Sequence, residues 1–106
     1  MTDRADLEIA LEEKCVEFAH NSMYVSIKTD KVKKGWPDRL FFGPTARIFF
    51  VEFKLPGSKP RPKQWKIIVM LRSLGFHVHV VTDFERFKTL LSSHSYSISV
   101  PAGRET

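Results

Sequence analysis

Apolar side chains recur along this chain in two rhythms, and the change from one to the other marks the elements. Over residues 4–19, Leu7, Leu11, Cys15 and Phe18 fall about one helical turn apart, with Ala10 and Ala19 beside them, which predicts an amphipathic helix. Thr2 or Asp3 can cap it, and the acidic residues of its first turns suit the helix dipole. Residues 23–28 (Met-Tyr-Val-Ser-Ile-Lys), 38–42 (Asp-Arg-Leu-Phe-Phe) and 47–54 (Arg-Ile-Phe-Phe-Val-Glu-Phe-Lys) predict three strands. The last is apolar enough on both faces to belong in the centre of a sheet. Over residues 62–74 the helical spacing returns through Gln64, Ile67/Ile68, Leu71 and Leu74, with Pro62 at the first helical position and Gly75 as the stop. Residues 76–82 alternate as a fourth strand, and 84–91 form a short helix capped by Thr82 or Asp83.

The order is therefore helix, three strands, helix, strand, helix. A helix between the third and fourth strands implies a right-handed crossover and a parallel pair. The fold class expected is α/β, a mixed central β-sheet flanked by helices. Residues 1–92 form one domain. Residues 93–106 are a tail, either weakly ordered or contributing Tyr96–Val100 as an edge or intersubunit strand. At 106 residues the chain can build one core with little to spare.

Charge changes the picture because it is unevenly placed. Residues 1–20 hold six acidic side chains against Arg4 and Lys14, whereas residues 28–72 hold twelve Lys and Arg against Asp30, Asp38 and Glu52. Basic charge gathered on one stretch fits a polyanion-binding surface, although a solvated lysine face has the same composition. The single cysteine, Cys15, excludes an internal disulfide and fits a reducing cytoplasm, with Cys15 read as a small core residue. No run is long enough to cross a membrane, and the acidic start does not resemble a signal peptide, so no membrane partner is expected.

The candidate chemistry lies between Gly35 and Lys54. Glu52 and Lys54 share one face of their strand, and a carboxylate and an ammonium inside so apolar a run are costly unless paired or bound to a metal. If the second and third strands are antiparallel neighbours, Asp38 faces Glu52 and Lys54. Two hard carboxylates suit Mg²⁺ or Mn²⁺, with the backbone carbonyl of Phe53 as a further oxygen ligand. Lys54 would hold the attacking water or stabilise the transition state of phosphodiester hydrolysis. The structural alternative is a buried Glu52–Lys54 ion pair with Asp38 as a turn residue. Other residues also have two readings: Trp36 as a base-stacking ring or a core plug, Gln64 as a helix-end hydrogen-bonder or a site residue. Glu8 and Glu12 border the apolar stripe of the first helix. His77 and His79 read as a partly exposed structural pair rather than a metal site. Nothing resembles a serine or cysteine triad, a glycine-rich phosphate loop or an organic-cofactor site.

Gly35-Trp-Pro-Asp38, Val51-Glu52-Phe-Lys54 and the downstream Gln64 resemble the PD-(D/E)xK nucleases. Within them the chain is most similar to the VRR-NUC (virus-type replication-repair nuclease) domain in its stand-alone phage or bacterial form. The likeness covers about residues 6–85, including the Arg-Pro-x-Gln start of the second helix and the Leu-Gly-Phe-x-Val-x-Val-Val strand. It implies a restriction-endonuclease-like core and metal-dependent, structure-selective DNA cleavage by a homodimer on branched DNA such as Holliday junctions or flaps, in DNA repair or recombination. If the chain is phage-encoded, it would act in the bacterial host cytoplasm. It further implies Asp38 and Glu52 as metal ligands, Lys54 as the catalytic lysine and Gln64 as a supporting residue. A glutamate of the first helix joins them: Glu8, acting on the metal through water, with Glu12 as the rival. Trp36 stands where a small aliphatic residue is common, and the loop before Gly35 is longer and richer in lysine. The phosphate-contact candidates are Lys28, Lys31, Lys33, Lys34, Arg39, Lys59, Arg61, Lys63 and Lys66. The rivals are a DNA-binding module without chemistry, and a nuclease acting on RNA or as an exonuclease.

Overall fold

The run Ile48-Phe49-Phe50-Val51 carries apolar side chains on both faces, and only an interior strand buries both. In the computed structural model, which describes residues 3–93, this run lies in β3 (Arg47–Phe53), flanked by β2 (Arg39–Gly43) and β4 (Val78–Val81), with β1 (Val25–Lys28) beyond β2. The β1–β2 and β2–β3 pairs are antiparallel and the β3–β4 pair is parallel. Helix α3 (Pro62–Ser73) makes the connection that a parallel pair requires. The remaining helices are α1 (Arg4–Asn21), the single turn α2 (Thr29–Val32) and α4 (Phe84–Ser92). The mixed sheet flanked by helices is the α/β architecture expected from the sequence.

Alternation along the strands divides the core into two layers. Phe41, Phe49, Val51, Phe53 and Val81 are buried with Cys15 and Ala19 of α1 and Phe87 of α4. Phe50 and Val78 are buried on the other face with Ile68 and Leu71 of α3. Cys15 is fully enclosed, and burial pushes its thiol up to about 12, so it is a packing residue. Trp36 packs edge-on against Phe50, with ring centroids 5.9 Å apart, on the α3 side of the core. The His77 and His79 rings lie nearly parallel, 6.3 Å apart. Burial is the main cause holding His79 down at about 4.

Residues 29–36 read as loop from their lysines, yet Thr29–Val32 close into a helical turn, with Lys33 N–H donating to the Thr29 carbonyl at 3.0 Å. Thr29–Val32 contains neither glycine nor proline to oppose the turn, and its use emerges at the site below. At the far end of the β2–β3 hairpin, Gly43 leaves room for Tyr24: an added Cβ would come within 2.1 Å of its ring. The connecting turn Pro44–Ala46 holds Thr45 (φ 57°) and Ala46 (φ 63°) in the left-handed region. Arg47 then reaches the end of α4, donating to the carbonyls of Leu90 (2.9 Å) and Leu91 (2.6 Å). The expected strand at Tyr96–Val100, with the rest of the 93–106 tail beyond Ser93, lies outside the described residues. None of the described helices is long and apolar enough to cross a membrane.

Candidate active site

The site is assembled at the end of β3, where two strands and two helices meet. Gly35 enters the left-handed region (φ 87°) and leads through Trp36 and Pro37 to Asp38, the residue before β2. Thr29 fixes this approach: its hydroxyl donates to the Pro37 carbonyl at 2.6 Å, and its N–H donates to the Asp38 carbonyl at 3.1 Å. Arg39 pairs with Val51, so the same antiparallel register carried one residue further sets Asp38 across from Glu52. The Phe53 N–H donates to Asp38 Oδ2 at 2.8 Å. The carbonyl of a strand residue lies on the same edge as its N–H, so that of Phe53 faces the Asp38 side.

Glu52 shares the face of Phe50 but meets polar groups there. Its Oε2 accepts from Gln64 Nε2 at 3.1 Å and lies 3.3 Å from Lys54 Nζ, while the side chain is only 2% exposed. Gln64 occupies the first turn of α3, and its Oε1 accepts the Arg61 N–H at 2.9 Å, closing the helix start. Both ends of one amide are thereby used, one capping the helix and the other holding the carboxylate. Gln64 is thus the helix-end hydrogen-bonder read from the sequence, and the same amide also reaches Glu52.

The two glutamates of α1 differ in their surroundings. Glu12 Oε2 accepts from Arg39 Nε at 2.7 Å and from Lys28 Nζ at 2.8 Å. The Glu8 side chain, one turn earlier, makes no hydrogen bond or ion pair among the described residues. Both line a cleft of about 490 Å³ together with Asp30, Lys31, Asp38 and Phe53. Arg39 is thus turned inward, whereas Lys31, Lys33, Lys34, Lys59, Arg61, Lys63 and Lys66 are all exposed. A Cβ added at Gly35 would meet the Lys63 stem at 3.5 Å, so the two basic loops lie side by side.

Two carboxylates crowded into a buried position repel one another. Burial, and then the charge of Glu52, push the Asp38 carboxyl up to about 7, against the opposing bond from Phe53 N–H. Burial likewise raises Glu52, with Lys54 pulling the other way. Asp30 adds unfavourable charge to both, and its buried Oδ1 accepts no hydrogen bond. A divalent cation would relieve this crowding, and carboxylate and carbonyl oxygens are the donors that Mg²⁺ and Mn²⁺ prefer. Among the described residues no three His, Cys, Asp or Glu side chains stand close enough to chelate a metal unaided. Asp38 and Glu52 would therefore need backbone or water oxygens to complete the shell. Asp30 and Thr29 were not singled out from sequence; a short polar turn leading toward Pro-Asp was the only signal they carried.

No family model matches the chain. Among curated proteins it is 41% identical over 59 residues to "Putative nuclease p44" of Acyrthosiphon pisum secondary endosymbiont phage 1. That match spans 56% of this chain and 62% of the phage protein, less than two thirds of the relative's length. Among solved structures, a chain described as "VRR_NUC domain" superposes with a TM-score of 0.74 at 27% identity, covering 82% of this chain and 96% of that one. The mixed four-stranded sheet with flanking helices is thus a fold shared with nearly the whole of that domain. With the phage relative at 41% identity beside it, the likeness seen in the motifs extends to the fold: the chain is similar over most of its length to a VRR-NUC domain.

Proposed function

We propose that this chain is a Mg²⁺- or Mn²⁺-dependent nuclease that hydrolyses phosphodiester bonds in branched DNA and works as a homodimer. The observation that carries the reading is Glu52: a nearly inaccessible carboxylate held by Lys54 and Gln64 beside a second carboxylate, Asp38, whose proton affinity is raised. A structural ion pair has no need of the second carboxylate. In this reading Asp38, Glu52 and the Phe53 carbonyl hold the ion, with Glu8 acting through water. When bound, the ion neutralises phosphate charge and lowers the pKa of water.

The chain's own residues do the rest. Gln64 and Lys54 fix the orientation of Glu52, and the Phe53 N–H fixes that of Asp38, so the site needs little rearrangement when charge develops. The Lys54 ammonium offers a donor to the attacking water or to a phosphate oxygen. Water adds to phosphorus, the ester P–O bond breaks, and the leaving oxygen takes up a proton. The exposed lysines and arginines of the two basic loops would contact the DNA backbone without reading its sequence. A single small domain offers little surface for two arms of a junction, which favours a dimer with two sites. Work on recombination or repair intermediates in a bacterial host cytoplasm fits this substrate.

The test is cleavage of labelled four-way junction, flap, duplex and single-stranded DNA with Mg²⁺, Mn²⁺ or EDTA, with Lys54→Ala in parallel. Metal-dependent products, most abundant on branched substrates and lost in the variant, are expected. Salt-sensitive binding with no product under any metal would leave a DNA-binding module in place of a nuclease. Preferential cutting of RNA, or stepwise loss of single nucleotides from ends, would replace the substrate assigned here.

A further inference from the structure

Among the described residues the sheet ends at β4, and the outer edge of that strand opens onto a groove of about 1190 Å³ between α3 and α4. Its wall beside the site is Ser58–Pro62, within the segment joining β3 to α3. Val80 lines the groove and pairs in register with Glu52. The groove therefore begins about 4.8 Å, one strand spacing, from the strand that carries the catalytic candidates.

The lining combines cations with an exposed ring. Lys59, Arg72 and Arg86 face one carboxylate, Glu85, which is already paired with Lys88 at 3.1 Å. Among the described residues neither the Lys59 ammonium nor the Arg86 guanidinium has an acidic partner. Arg72 is held in place by the Val78 carbonyl, to which its Nη2 donates at 2.7 Å, and its guanidinium lies 5.6 Å from the centre of the Trp65 ring. Trp65 is 45% exposed, unlike Trp36, which is packed in the core. Cations beside an open indole suit a chain that alternates phosphates with planar rings. A duplex keeps its base faces stacked, so a Trp ring of this kind meets a base only where the strand is unpaired.

We infer that this groove binds single-stranded DNA, taking up the unpaired arm of a branched substrate next to the cleavage site. The inference rests on the nuclease reading for its purpose, but its test does not depend on cleavage. Fluorescence anisotropy of a labelled oligo(dT) of about 12 nucleotides is measured in EDTA with wild type, Trp65→Ala and Arg86→Glu. The two residues lie on different helices, so misfolding of one variant, read from its circular dichroism melt, leaves the other informative. Trp65→Ala should weaken binding at least fivefold, within the range for losing one stacked base. Arg86→Glu should weaken it and flatten its salt dependence. Wild-type affinity in both folded variants overturns the inference. So does a change from dimer to monomer in sedimentation of either variant, because the groove would then be covered by a second copy. Wild-type cleavage with metal is scored separately: products together with groove-independent oligo(dT) binding refute the groove alone. Groove-dependent binding with no product under any metal refutes the nuclease reading alone.

Discussion

The Phe53 N–H donates to the Asp38 carboxylate at 2.8 Å, so the strand that carries Glu52 also holds the opposing carboxylate in place. The two acids cannot drift apart to relieve their repulsion. They are kept close at the cost of a raised proton affinity, as expected of a site prepared for a cation.

The first consequence concerns pH and stability. Asp38 titrates near 7 in the folded chain, against an ordinary value of 3.8, so the folded state holds its proton more tightly than the unfolded state. The stability this contributes is complete below about pH 4 and is lost as pH rises toward 7. His79, held down at about 4, acts in the opposite sense: its contribution is present above the ordinary 6.5 and lost as pH falls. The variant Asp38→Asn isolates the first effect. Without metal at pH 8 it should be more stable than wild type by about 1–2 kcal/mol, and the gap should close by pH 4. Urea unfolding at several pH values measures this, and a gap that is constant with pH would contradict it.

Lys54→Ala should lower single-turnover cleavage by roughly 10²–10³-fold, the range for removing one preorganised donor at a charged transition state. Asp38→Asn should do at least as much while gaining stability as just described. Their thermal melts and DNA affinities should show that both remain folded and bind. Full cleavage by either purified variant would remove Asp38 and Lys54 from the chemistry.

Glu8 and Glu12 should separate cleanly. Glu12 neutralises Lys28 and Arg39 in a partly buried setting, so Glu12→Gln should cost about 1–3 kcal/mol of stability by removing the anion these two cations share. Glu8 has no such partners among the described residues. Glu8→Gln should leave the melt within about 0.5 kcal/mol while weakening Mn²⁺ affinity, read by calorimetry, and cleavage. The reverse pattern would hand the site role to Glu12.

Gln64 serves the α3 start and Glu52 at once. Gln64→Glu preserves the acceptor for Arg61 N–H but sets a further negative charge against Glu52, raising its proton affinity. Cleavage should then rise with pH over a more alkaline range than in wild type. An unshifted pH–rate profile would show that Gln64 does not act through Glu52.

Much of this was legible in the sequence because it depends on local periodicity. The double-sided apolar run at Ile48–Val51 marked the interior strand, and the two-residue spacing of Glu52 and Lys54 put them on one face. The helical stripe through Ile67/Ile68 and Leu71 pointed Gln64 inward. What was not legible depends on pairing across distance. Glu12 meets Lys28 and Arg39 across separations of 16 and 27 residues, and nothing in the local pattern announced that ion-pair cluster. The one-turn helix at Thr29 was hidden by its lysines, and its task of tying down Pro37 has no signature in composition.

The turn at Pro44–Ala46 gains importance from this dependence on pairing. It stands five strand residues, about 17 Å, from Asp38. Yet two left-handed residues in that turn, and a glycine with a tyrosine ring against it, set how β2 counts against β3. One residue more or fewer there would slide the ladder, turn Asp38 to the opposite face and leave Glu52 without its counterpart. The spacing of Asp38 and Glu52 is thus also a matter of arithmetic performed at the remote end of a hairpin, where an insertion would part the two carboxylates without altering either of them.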